Sequence, residues 1–208
     1  MNRETVHLFV FDTLADWEPG YAVAGVNNPQ FQSRPGRYSI KTVALHPESV
    51  RTIGGVRIVP DLTLQRLEPS QSAMLILPGG TAWDAGENVE AIHTARAFLE
   101  AKVPVAAICG ATAGLAKGGL LNERLHTSNA KEYLAATGYR GAAQYRDEPA
   151  VTDGDLITAS AMAPLEFAYH IFRRLELYAP QVLEAWYGLF STRKPEYFNA
   201  LMQAANGF

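Results

Sequence analysis

Three short stretches of this chain, "VHLFVF" (Val6 to Phe11), "AMLILPGG" (Ala73 to Gly80) and "VPVAAIC" (Val103 to Cys109), are almost continuously apolar. A strand with one wet face alternates apolar and polar side chains, whereas a strand covered on both faces does not. Together with "YSIKTVAL" (Tyr38 to Leu45) and "DLITAS" (Asp155 to Ser160), these runs alternate with longer segments of helical character. In one of them, "NVEAIHTARAFLEAK", Val89, Ile92, Ala95 and Leu99 fall on one helical face behind Asn88 as a candidate N-cap. The alternation predicts an α/β fold, a three-layer αβα sandwich around a mainly parallel sheet.

Two segments depart from that rhythm. In "TIGGVRIVPD" (Thr52 to Asp61) a Gly-Gly pair between β-branched runs predicts a hairpin added beside the parallel sheet. The last third, "PLEFAYHIFRRLELY" followed by "PQVLEAWYGLFSTRKPEYFNALMQAA", predicts two or three amphipathic helices broken at Pro180 and Pro195. No repeat or linker divides the chain, so residues 1–208 are expected to form one domain with extra C-terminal helices from about residue 179.

Charge and hydropathy narrow the partners. The formal net charge is −3, and Arg173-Arg174 is the only adjacent basic pair inside a predicted helix, so no positive track is offered to nucleic acid. The first apolar run, Leu8 to Phe11, meets Asp12 at once and is too short for a signal-peptide core or a bilayer span. A cytoplasmic protein with a small-molecule substrate, without a membrane or nucleic-acid partner, is the expectation.

Cys109 is the only cysteine. It can form neither an intrachain disulfide nor a cysteine-based zinc site, which leaves inert packing or a reactive thiol. Its setting bears on the choice. An α/β enzyme exposes a nucleophile on a sharp turn between a central strand and the next helix, with small residues two positions to either side. Here those positions are Ala107 and Ala111, and Gly110 follows directly. A helix start at that point would favour thiolate over thiol.

Two other segments are expected at the same sheet edge. "LILPGG" ends in glycines whose N–H groups can approach a substrate, so Gly80 and Gly110 are candidate donors to a developing oxyanion, although Pro78-Gly79-Gly80 can equally be a tight turn. "ADWEPGY" follows the first strand and brings Asp16 and Glu18, either of which can act as a general acid/base if burial raises its pKa, or be an ordinary solvated helix start. Trp17, Tyr21 and Trp83 are placed near the mouth, as pocket walls or as plain packing.

In this combination the chain resembles the ThiJ/PfpI superfamily, flavodoxin-like relatives of class I glutamine amidotransferase domains that include the Parkinson-linked stress protein. The matching pieces are "VHLFVFDTLADWE", "IGGVRIVPD", "AMLILPGG", "VPVAAICGATAGLAKGGLL", "RLHTSNAKEYL" and "DLITASAMAPLEFA", which cover roughly residues 5 to 175 in the family's order. The resemblance implies that Cys109 is reactive, that Glu18 rather than Asp16 pairs with it, and that the protein is a homodimer. The apolar "EAWYGLF" segment is a further reason to expect a paired surface.

Departures from the family's pattern matter as well. Family peptidases carry His directly after the cysteine where this chain has Gly110, and no His-x-Glu pair follows Cys109, so protease and true glutaminase chemistry are both disfavoured. Many relatives carry a His downstream of the elbow. Here Asn129 aligns at that place, with His126 three residues earlier, and in an extended strand the two point to opposite faces. His7, His46, His93 and His170 are weaker candidates. The leading expectation is a cofactor-independent cysteine enzyme of hydrolase, hydratase or glyoxalase/deglycase type, with Cys109 and Glu18, and His126 as a third candidate. The alternative is a non-enzymatic redox or stress-response protein in which the same cysteine is oxidised.

Overall fold

The structure is a computed structural model that describes residues 4–206. Its strands are β1 (Glu4–Phe9), β2 (Tyr38–Ala44), β3 (Val50–Arg51), β4 (Arg57–Ile58), β5 (Leu62–Thr63), β6 (Met74–Leu77), β7 (Val105–Ile108), β8 (Ala150–Asp153) and β9 (Leu156–Ala159). Seven form the central sheet in the order β5-β2-β1-β6-β7-β9-β8, parallel except for β8, while β3 and β4 form a separate antiparallel pair. This is the expected mainly parallel α/β sandwich with an added hairpin. The side chains of β6, β7 and β9 are buried throughout, as continuous apolar runs require when both faces are covered.

The chain leaves β1 for β2 on one side and returns to β6 on the other, so the strand order reverses beside β1. In an open α/β sheet the crevice at such a reversal, outside the carboxyl ends of the strands, is where ligands bind. The turns after β1, β6 and β7 carry Glu18, Gly79 and Cys109 to that edge.

The helices are α1 (Gly20–Asn27), α2 (Thr81–Asp84), α3 (Val89–Glu100), α4 (Gly110–Lys117), α5 (Lys131–Ala135), α6 (Pro164–Arg174), α7 (Pro180–Thr192) and α8 (Pro195–Asn206). None among the described residues is long and apolar enough to cross a membrane. α1 packs closely on α6, because Gly25 leaves room for the Phe172 ring. Phe9, Met74, Trp83, Phe98, Phe167 and Phe172 anchor the core.

Several expectations need correction. β5 and β8 were not predicted: one has two residues, and the other, "AVTD", ends in the polar turn at Gly154, whose φ is +59°. Asn88 adopts a left-handed φ of +59° and its side chain caps nothing. Val89 is exposed, and Ala91, Ile92, Ala95, Phe98 and Leu99 form the buried face of α3 instead. Three C-terminal helices form, and most of "EAWYGLF" is taken up within the chain. Trp186 meets Tyr21, Phe172 and Tyr178, and Phe190 is the one apolar side chain of that segment that is exposed. That segment therefore gives no reason of its own to expect a second copy.

Candidate active site

Cys109 sits between β7 and α4 with φ +58° and ψ −125°, a conformation unfavourable for a side-chain-bearing residue. The surroundings hold it there. Its N–H donates to the Ala159 carbonyl at 3.1 Å, and its carbonyl accepts from the Thr112 N–H at 3.0 Å and the Thr112 hydroxyl at 2.6 Å. With the Thr112 proton so used, the buried Ser128 hydroxyl donates to Thr112 Oγ1 at 2.6 Å. Ala107 and Ala111 are fully buried, and a Cβ on Gly110 would lie 3.0 Å from the Gly80 carbonyl and 3.1 Å from Trp83 Cβ. The small residues around the cysteine are required by close packing on both sides of the turn.

Glu18 is fully buried, and its Oε2 accepts from the Gly79 N–H at 2.5 Å. Gly79 marks where carboxyl and thiol meet: a Cβ there would lie 2.7 Å from Glu18 Oε2, 2.5 Å from Cys109 Cβ and 2.9 Å from its sulfur. Burial raises the Glu18 pKa above the ordinary carboxylate value, against the Gly79 and Cys109 hydrogen bonds that lower it. Burial and the neighbouring Glu18 charge push the Cys109 thiol up to about 11, although hydrogen bonds from Asn129 and Gly110 act the other way. Two buried acids in contact cannot both ionise cheaply, so the pair holds a proton between them. The helix start was expected to favour a resting thiolate, but burial and Glu18 outweigh it.

Asp16 goes elsewhere. Its Oδ2 accepts from the Gly54 N–H at 2.8 Å, and hydrogen bonds from Thr52 and Gly54 outweigh slight burial and hold it below the ordinary carboxylate value. It thus ties the β3–β4 turn to the loop after β1. Of the two acids in "ADWE", only Glu18 reaches the sulfur.

His126 does not join the cysteine. Fully buried, it places Nδ1 2.7 Å from the Arg124 carbonyl and Nε2 3.0 Å from the Tyr139 hydroxyl, which occupies both ring nitrogens. Asn129 reaches the sulfur instead, with Nδ2 3.5 Å from Sγ. His7 bonds Ser72, His170 bonds Thr152, and His46 and His93 are exposed. Trp83 is core, donating from Nε1 to the Pro78 carbonyl at 2.8 Å beneath the elbow, while Tyr21 packs on Trp186 and Phe190 and Trp17 is 55% exposed. Gly80 forms an isolated bridge with Leu14, and a Cβ there would collide with the Thr13 carbonyl. Among the described residues no cluster of His, Cys, Asp and Glu is arranged to hold a metal ion.

The roles of Gly79, Thr112 and Ser128 were not read from the sequence. "PGG" pointed to a close backbone approach but not to which glycine makes it. Nothing local marks the two hydroxyl residues.

Comparison with known proteins places the whole chain. The chain is 40% identical over 209 residues to "Uncharacterized protease YoaZ" of Bacillus subtilis (strain 168), covering 99% of this chain and 100% of that protein. It is 30% identical to "Deglycase PH1704" of Pyrococcus horikoshii over 53% of this chain and 66% of that one. A thiJ/pfpI family protein from Bacillus anthracis has the same fold, with a TM-score of 0.91, 40% identity and 98% of both chains covered. The sequence pattern of the DJ-1/PfpI family matches residues 4–174, and with that match the chain belongs to the DJ-1/PfpI family.

Proposed function

We propose that this protein is a cysteine enzyme that adds the Cys109 thiol to a small carbonyl-type electrophile, in chemistry of the glyoxalase/deglycase kind. The observation that carries this reading is the fully buried Glu18 carboxyl, held by the Gly79 N–H where it meets the half-buried Cys109 thiol, which burial pushes up. A thiol of that kind is a weak nucleophile until a base takes its proton, and Glu18 is the base within reach. As the sulfur attacks the carbonyl carbon, the S–H proton passes to Glu18, the S–C bond forms and the C=O π pair moves to oxygen. Return of that proton from Glu18 to the oxygen gives a hemithioacetal with every atom accounted for.

Two competing readings are weaker. Peptide hydrolysis, which the name of the Bacillus subtilis relative suggests, is disfavoured by the lack of a histidine beside the thiol. Gly110 follows the cysteine, and both His126 nitrogens are engaged elsewhere. Oxidation-sensing favours an accessible thiolate at rest, and Cys109 is half-buried with its thiol pushed up.

The test is a panel of ketoaldehydes, isonitriles and amides assayed beside Cys109→Ala. Cys109-dependent consumption confined to the carbonyl substrates is the expected result. Turnover of amides or peptides alone would replace this reading with hydrolysis, and no Cys109-dependent turnover of any member would overturn it.

A further inference from the structure

The Asn129 side chain spans two elements that bound the site. Its Oδ1 accepts from the Ala161 N–H at 2.9 Å, and its Nδ2 lies 3.5 Å from Cys109 Sγ. A backbone N–H can only donate, so the end facing Ala161 must be the oxygen and the end facing the sulfur must be the NH2 group. The orientation of the amide is thereby fixed.

Neighbouring residues fix its position. The Thr127 N–H donates to Thr158 Oγ1 at 2.9 Å, the Thr127 hydroxyl donates to the Glu148 carbonyl at 2.7 Å, and Ser128 bonds the elbow through Thr112 at 2.6 Å. Unlike those two residues, Asn129 is only half-buried. One Nδ2 hydrogen faces the sulfur, and the other has no acceptor among the described residues.

One backbone donor at this site is less free: the Gly79 N–H is occupied by Glu18. A growing negative charge on the substrate oxygen would gain from a side-chain donor held beside the sulfur.

We propose that Asn129 is a catalytic residue of this site, a donor that cannot titrate, steadying negative charge first on Cys109 Sγ and then, through its second Nδ2 hydrogen, on the oxygen of the carbonyl under attack. A hydrogen bond to an ionised acceptor is roughly twice as strong as one to a neutral acceptor, so the contact strengthens as Glu18 takes the proton. The amide supplies and removes no proton. All proton movement falls to Glu18, which suits an addition in which one proton leaves the sulfur and the same proton returns to oxygen.

The part played on the substrate oxygen rests on the proposed thiol addition; the part played on the sulfur does not. The experiment keeps them apart by comparing wild type with Asn129→Ala and Asn129→Asp in two measurements. In the first, iodoacetamide alkylation of Cys109 at pH 8, Asn129→Ala is expected to react about 10-fold more slowly, corresponding to roughly one unit of thiol pKa. Asn129→Asp should be slower still, because it places a like charge on the sulfur. Unchanged melting temperatures would separate this from unfolding. Equal alkylation rates in all three proteins would overturn the sulfur role.

In the second measurement, consumption of methylglyoxal, kcat should fall further in Asn129→Ala than the alkylation rate does. A fall no larger than that in alkylation would overturn the oxygen role. Absence of methylglyoxal turnover in the wild type would remove the oxygen role together with the proposed addition, while the alkylation rates would still decide the sulfur role.

Discussion

Gly79 and Glu18, brought together from the turns after β6 and β1, share a hydrogen bond of 2.5 Å from backbone N–H to Oε2. The bond holds the carboxyl against Cys109 and uses a glycine because nothing larger fits: any side chain there would occupy the space where acid and thiol meet. Gly79→Ala places a Cβ 2.9 Å from the sulfur and 2.7 Å from Oε2, closer than atoms pack without displacement. Turnover is expected to fall by roughly 100-fold or more, as on loss of a general acid/base. Steady-state assay with a circular-dichroism control checks this, and a variant retaining wild-type kcat would show that the carboxyl does not need this seat.

Glu18→Gln keeps size and hydrogen-bonding capacity and removes proton transfer. Its kcat should drop by roughly 100-fold while Cys109 can still be alkylated to completion. Full activity in this variant would take the general-base role from Glu18.

Gly25 faces Phe172 at the α1–α6 contact. A methyl group there must push the ring out of a packed core, which costs about 1–3 kcal/mol. Urea denaturation of Gly25→Ala should show a lower midpoint with an unchanged slope. A midpoint equal to wild type would mean that the two helices can separate freely.

His7 ties acid stability to the first strand. Its Nδ1 lies 2.7 Å from Ser72 Oγ, whose own proton goes to the Met74 carbonyl at 3.0 Å, so Nδ1 carries the hydrogen and donates. Burial, and then the Lys41 charge, lower its pKa from 6.5 to about 4. The unfolded chain therefore binds a proton at higher pH than the folded one, and stability falls as pH drops from 6.5 toward 4. After allowance for solvent screening the loss is on the order of 1–2 kcal/mol. His7→Asn retains a donor without titrating, so its stability should change less than wild type over that window. Parallel stability–pH curves for the two proteins would contradict the assignment.

Much of the site's placement was legible in the sequence because it depends on local pattern. An apolar run ending in Ala-x-Cys-Gly-Ala can turn sharply only where small residues fit, and the structure packs Ala107, Gly110 and Ala111 on that account. The acid assignment came from the resemblance, and the structure sends Glu18 to the sulfur and Asp16 to Gly54. What was hidden depends on register and long-range packing. Which glycine of "PGG" meets the sulfur is set by where β6 ends, at Leu77. Which of His126 and Asn129 faces inward is set by the Thr127–Thr158 and Asn129–Ala161 bonds to β9 and the turn after it. The two-residue β5 and the capless start of α3 at Asn88 carry almost no local signal.

The most direct measurement of the central claim is the initial rate of ketoaldehyde consumption by wild type and Cys109→Ala at equal concentration, corrected for the reaction without protein. The proposed chemistry predicts saturable turnover in the wild type and none above the uncatalysed rate in Cys109→Ala. Equal rates in the two proteins, or no turnover by either, would contradict it.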